Sequence, residues 1–97
     1  PFETSIAADP SFASVHNGLG VARKIAGDTA GAIASWERAV ALDPKYDLPV
    51  YNLAVAYLQT GDKARALEFC RRYLAVKGDG ITAAERRDVE SLIERCR

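Results

Sequence analysis

Methionine is absent from this sequence, tryptophan and histidine occur once each, and cysteine occurs twice. With His16 alone, chemistry that relies on imidazole has one candidate, and that residue falls on a helical stripe where a packing role is the favoured reading. Cys70 and Cys96 are too few for a disulfide framework or a zinc site. No G-K-[ST] phosphate loop is present, and Gly18-Leu19-Gly20 lacks the third glycine and the preceding strand of a dinucleotide loop. Paired carboxylates at Glu85, Asp88 and Glu90 sit among arginines at helical spacing, which suits ion pairing better than acid–base work. No catalytic, cofactor or metal site is therefore expected. No apolar run approaches the roughly 18 residues that a membrane span needs. The chain also lacks an excess of either charge. Thirteen basic and thirteen acidic groups balance, with three and five in residues 1–44 and ten and eight in 45–97. Neither nucleic acid nor a membrane surface is an expected partner. Absence of methionine and a start at Pro1 point to a fragment or processed product of a longer polypeptide.

What is present is an ordinary globular composition, 48% hydrophobic and 27% charged, with room for one domain. Its landmarks recur. Gly27-Asp28 returns as Gly61-Asp62, Ala32 as Ala66, and Asp9-Pro10 anticipates Asp43-Pro44, each time 34 residues apart. A fixed period of roughly 20–50 residues marks a repeat array.

In chain order, residues 1–10 read as the tail of a helix closed by Asp9-Pro10. From Ser11 or Phe12 to about Ala26, the residues Phe12, Val15, Leu19, Ala22 and Ala26 form an apolar stripe at helical spacing. Gly18 and Gly20 each weaken this helix by about 1 kcal/mol relative to alanine, so both call for a close helix neighbour. Gly27-Asp28 stops it and starts a helix over about Thr29–Leu42, with Ala32, Ile33, Trp36, Ala39 and Val40 inward. Asp47 caps a third helix of about Leu48–Thr60, with Leu53, Ala54 and Tyr57 on its core stripe. After Gly61-Asp62 comes a helix of about Lys63–Val76 that turns Ala66, Leu67, Cys70, Tyr73 and Leu74 inward. Thr82 to Glu85 fits a capping box, and the helix after it has a narrow stripe of Val89, Leu92, Ile93 and Cys96 on an otherwise charged surface. That pattern suits a terminal cap. Between antiparallel helices, Cys96 reaches Cys70 in one register and misses it in another; a buried Cys70 and a fraying, unbridged Cys96 is the favoured reading.

Helix pairs with this period and the pattern W-x2-L-G-x2-Y…A-x3-F…P resemble the tetratricopeptide repeat. Leu19-Gly20, Ala32, Trp36, Ala39 and Pro44 carry the match in one copy, with His16 and Arg23 in place of tryptophan and tyrosine. Leu53-Ala54, Tyr57 and Ala66 carry it in the next, with Val50, Cys70, Tyr73 and Gly78 in place of tryptophan, phenylalanine, alanine and proline. The resemblance implies an all-α right-handed superhelix. It divides the chain into a partial repeat (1–10), repeats at 11–44 and 45–78, and a capping helix (81–97).

In this family the first helix of each pair lines a concave groove that binds protein or peptide. Carried over, the groove residues are Ser14, Asn17, Val21 and Lys24, then Leu48, Tyr51, Asn52, Val55, Leu58 and Gln59. Some members grip a terminal carboxylate with lysine, asparagine and arginine. Here Asn52 alone fits that pattern, because Asn17 and Val21 stand where a lysine and an asparagine are needed. Leu48, Tyr51, Val55 and Leu58 make a partly greasy strip with Tyr51 as its best anchor. The expectation is a non-catalytic protein- or peptide-binding module. Self-association into a homodimer or scaffold, and the appendage of a larger enzyme, are the alternatives.

Overall fold

A computed structural model describes residues 11–97, and the reading of Phe2 to Pro10 as a partial repeat lies outside them. The described residues are all-α: α1 (Ser11–Ile25), α2 (Thr29–Leu42), α3 (Asp47–Gln59), α4 (Lys63–Lys77) and α5 (Ala83–Arg95), with a single 3-10 turn at Gly78–Gly80. They fall into two compact units that divide after Pro49, inside α3.

Both hairpin turns use one device. Gly27 takes φ 91° and Gly61 φ 89°, left-handed values that glycine adopts without a β-carbon penalty. Behind Gly27, the Asp28 amide donates to the Arg23 carbonyl (2.8 Å) and the Gly27 amide to the Lys24 carbonyl (3.0 Å). Behind Gly61, Asp62 and Gly61 donate to Tyr57 (2.9 Å) and Leu58 (3.2 Å). These paired bonds satisfy carbonyls that a helix end leaves open. The aspartate that follows then caps the next helix: Asp28 Oδ1 accepts from the Gly31 amide at 2.9 Å, and Asp62 Oδ1 from the Arg65 amide at 3.1 Å. Each cap is worth about 1 kcal/mol.

After α2 the chain turns at Asp43, whose side chain accepts from the Lys45 amide (3.2 Å) and whose carbonyl accepts from Tyr46 (3.1 Å). Asp47 lies inside the first turn of α3, not outside it as a cap; an acidic group there favours the positive end of the helix. Pro49 is tolerated in that turn because its missing amide would have had no partner within the helix.

In the first unit the core lies between α1 and α2. Ala32, Trp36, Ala39 and Val40 are buried, as their spacing predicts, and Ser35 joins them. The face that α1 turns inward differs from the predicted stripe. Ala13 and Gly20 are buried, whereas Val15 is 61% exposed, Leu19 40%, and Ala22 and Ala26 are open as well. Trp36 explains the difference. Its ring lies where a β-carbon on Gly20 would stand, and its Nε1 donates to the Asn17 carbonyl at 3.1 Å. α2 thus docks along Ala13–Gly20, about 150° around the helix from Val15. Hydrophobic period identifies an apolar stripe, not the neighbour that covers it. Gly18 has nothing near it, so it has no close helix neighbour to offset its cost.

In the second unit Leu53, Ala54, Tyr57, Ala66, Cys70 and Tyr73 are buried as predicted, and Phe69 is buried in addition. Tyr57 stacks on Phe69, with centroids 5.7 Å apart and planes 18° apart. The Arg65 guanidinium lies over Tyr57 (5.6 Å) and that of Arg72 over Phe69 (4.8 Å). Gly78, at φ 52°, ends α4, and the capping box forms as predicted. The Thr82 hydroxyl accepts from the Glu85 amide (3.1 Å) and the Glu85 carboxylate from the Thr82 amide (2.9 Å). Lys77 ties the same carboxylate to the end of α4 at 3.0 Å. Val89, Leu92 and Cys96 face inward from α5.

Candidate functional site

Helical geometry makes α3 two-sided. Val50, Leu53, Ala54 and Tyr57 occupy the buried side. Leu48, Tyr51, Asn52, Val55, Leu58 and Gln59 lie within an arc of about 120° on the other. Leu48 is 52% exposed, Tyr51, Asn52, Val55 and Leu58 are half-buried, and Gln59 is exposed. On α1, in the other unit, Ser14 and Val21 are exposed while Asn17 and Lys24 are half-buried, again on a single face. The Asn17 main chain is engaged in the core through Trp36, which fixes its position along the helix.

Tyr51 is more closely held than an exposed anchor would be. Its ring meets Tyr73 of α4 at 5.5 Å between centroids and an angle of 58°. Burial pushes its phenol above the ordinary tyrosine range, and the Asp88 carboxylate and the Cys70 thiol add to the shift. The proton therefore stays on Tyr51 at neutral pH, and the hydroxyl is available as a donor. Asp88 is exposed on α5 and lies near enough to act on Tyr51, although the sequence reading assigned it to a solvated ion-pairing surface. No local signal could have found it, because the neighbour it faces is 37 residues earlier on a different helix.

The face of α3 thus offers the apolar bodies of Leu48, Val55 and Leu58, the rigid ring of Tyr51, and the amides of Asn52 and Gln59. Asp88 on α5 adds a carboxylate near enough to be felt at the Tyr51 phenol. Such a surface can bury apolar side chains of a partner and hydrogen-bond its main chain. Among the described residues, no group of three or more His, Cys, Asp or Glu side chains could hold a metal ion. No helix among them is long and apolar enough to cross a membrane.

Two family profiles, each described as tetratricopeptide repeat, match the chain, one over residues 25–86 and the other over residues 2–47. Comparison with curated proteins finds no significant match.

Proposed function

The chain belongs to the tetratricopeptide repeat family, and on that footing we propose that it is a non-catalytic module binding a protein or peptide through the first helices of its repeats. Tetratricopeptide repeats generally mediate protein–protein interaction. In this reading the repeats occupy 11–44 and 45–78, residues 81–97 cap the array, and α3 is the main contact. The contact residues are Asn17, Val21 and Lys24 on α1, and Leu48, Tyr51, Asn52, Val55, Leu58 and Gln59 on α3.

One observation carries the proposal. α3 has apolar side chains on both of its sides, and folding fully buries only the side of Val50, Leu53, Ala54, Ala56 and Tyr57. Leu48, Val55 and Leu58 stay accessible on the other, where a solvated helix would carry charged groups. A polypeptide partner fits the mixture of aliphatic surface and amides better than a polyanion does, since no basic residue stands on this side of α3.

The test is affinity co-purification from the source cell extract with wild type, Val55→Asp and the control Arg71→Asp on the exposed side of α4. The expected result is a set of proteins retained by wild type and control and reduced about tenfold by Val55→Asp, equivalent to about 1.4 kcal/mol. An unchanged set with a helical circular dichroism spectrum identical to wild type would sink the reading.

A further inference from the structure

The two cysteines are the only thiols in the chain, and the binding face uses neither. Cys70 lies midway along α4 and is 1% exposed, while Cys96 closes α5 and is 8% exposed. α4 and α5 pack together, with Val89, Leu92 and Cys96 on the inward side of α5. Cys96 is thus not a fraying end. Both residues are free thiols, and Cys96 lies near enough to Cys70 to raise its pKa. Two buried thiols on helices packed against each other are placed to bond wherever their α-carbons come within about 7 Å.

We propose that Cys70 and Cys96 are a redox-modification site, forming a reversible intramolecular disulfide that clamps the last helix to α4. The oxidant is a small-molecule disulfide of the glutathione class. Cys96, at the helix end and the less buried of the two, releases its proton to solvent, and its thiolate attacks one oxidant sulfur. The oxidant S–S bond breaks, one thiolate leaves, and a mixed disulfide forms on Cys96. Cys70 then releases its proton and attacks the Cys96 sulfur, expelling the second thiolate. Two protein thiols have lost two electrons and two protons, and the oxidant has become two thiols. Burial first, then Cys96 itself, pushes the Cys70 thiol up to about 11, which suits it to the second step, within reach of a sulfur already bonded, and not to the first. The bridge would also fix α5, whose Asp88 acts on the Tyr51 phenol. That consequence rests on the binding face proposed above; the bridge does not.

The reduced chain is exposed to oxidised glutathione, quenched by alkylation, and weighed intact under non-reducing conditions, in native buffer and in concentrated urea. The expected product is a monomer lighter by two hydrogens, with the peptides of Cys70 and Cys96 linked. It should form about tenfold faster in the folded chain, because the fold holds the pair together. Cys96→Ser should leave Cys70 unmodified in native buffer over the same time. A persistent glutathione adduct, a disulfide-linked dimer, or a bridge that forms no faster in native buffer than in urea would overturn the proposal. No partner is needed, so failure here leaves the binding reading untouched, and the reverse also holds.

Discussion

In the first unit Arg23 reaches from α1 to the Ser35 hydroxyl of α2 (3.2 Å) and the Gly31 carbonyl (3.3 Å). Thirty-four residues on, at the equivalent positions, Tyr57 lies flat against Phe69. The next position reverses the contrast. Trp36 fills the first unit against Gly20, whereas Cys70 stands in the second with Ala54 in place of the glycine. The register is shared, but the first unit concentrates its aromatic burial in one ring and completes its hairpin with a polar bridge. The second spreads the burial over Tyr57, Phe69 and Tyr73. A repeat position therefore specifies a volume and a partner position, not a chemistry. Arginine with serine and tyrosine with phenylalanine each satisfy it as pairs.

The largest expected effect tests that contrast directly. Trp36→Ala should destabilise the chain by about 4–5 kcal/mol, the upper part of the range for a buried aromatic, because no other aromatic ring among the described residues of the first unit is buried to close the gap. Phe69→Ala should cost about 3 kcal/mol, since Tyr57, Tyr73 and the Arg72 stem remain around the gap. Urea unfolding followed by helical circular dichroism measures both. Equal losses, or a larger one for Phe69→Ala, would break the distinction between concentrated and distributed packing. A domain of this size has about 5–15 kcal/mol to lose, so Trp36→Ala should leave it close to unfolded.

The two glycines of α1 sharpen the comparison at smaller scale. Gly20→Ala drives a β-carbon into the Trp36 ring, 2.6 Å from its Cδ1, and should cost about 1–3 kcal/mol. Gly18→Ala meets nothing and should stabilise α1 by about 0.5–1 kcal/mol through lower chain entropy. Opposite signs in the urea midpoints are the prediction. If both variants were stabilised, Trp36 would not be seated on Gly20.

Much of this architecture is legible without coordinates. The Gly27-Asp28 and Gly61-Asp62 turns, the Asp43-Pro44 stop and the Thr82 to Glu85 box are local devices whose partners lie within a few residues, so sequence spacing contains them. What lies across helices does not show. Nothing in SVHNGLGVARK distinguishes the glycine under Trp36 from the one facing solvent. The inward side of α1 is set by that ring, whereas hydrophobic period alone points to the more hydrophobic Val15 and Leu19. The burial of Phe69 does not show in the motif, whose phenylalanine position falls on Cys70, one residue later. For the candidate site the arc of α3 is legible from helical period alone. The Tyr73 and Asp88 neighbours of Tyr51 are not, since each comes from another helix.

The smallest effect comes from the reciprocal capping box at the entry to α5, where α2 of the first unit has a single aspartate cap. The backbone hydrogen bond from Thr82 lowers the Glu85 pKa, with the Lys77 ammonium adding to it. A carboxylate depressed in the folded state contributes stability that is fully present above its unfolded value of about 4.3–4.5 and is lost as pH falls through the lower folded value. Amide exchange across Ala83–Arg95 should therefore accelerate as pH is lowered below about 4.5, after correction for the intrinsic pH dependence of exchange. Glu85→Gln should remove that step: its amide oxygen can still accept from Thr82, but it cannot pair with Lys77 or titrate. Trp36, the only tryptophan, reports on the first unit in the same samples, and its fluorescence should not follow the Glu85 step. An α5 acid response that survives Glu85→Gln would show that the capping carboxylate is not its source.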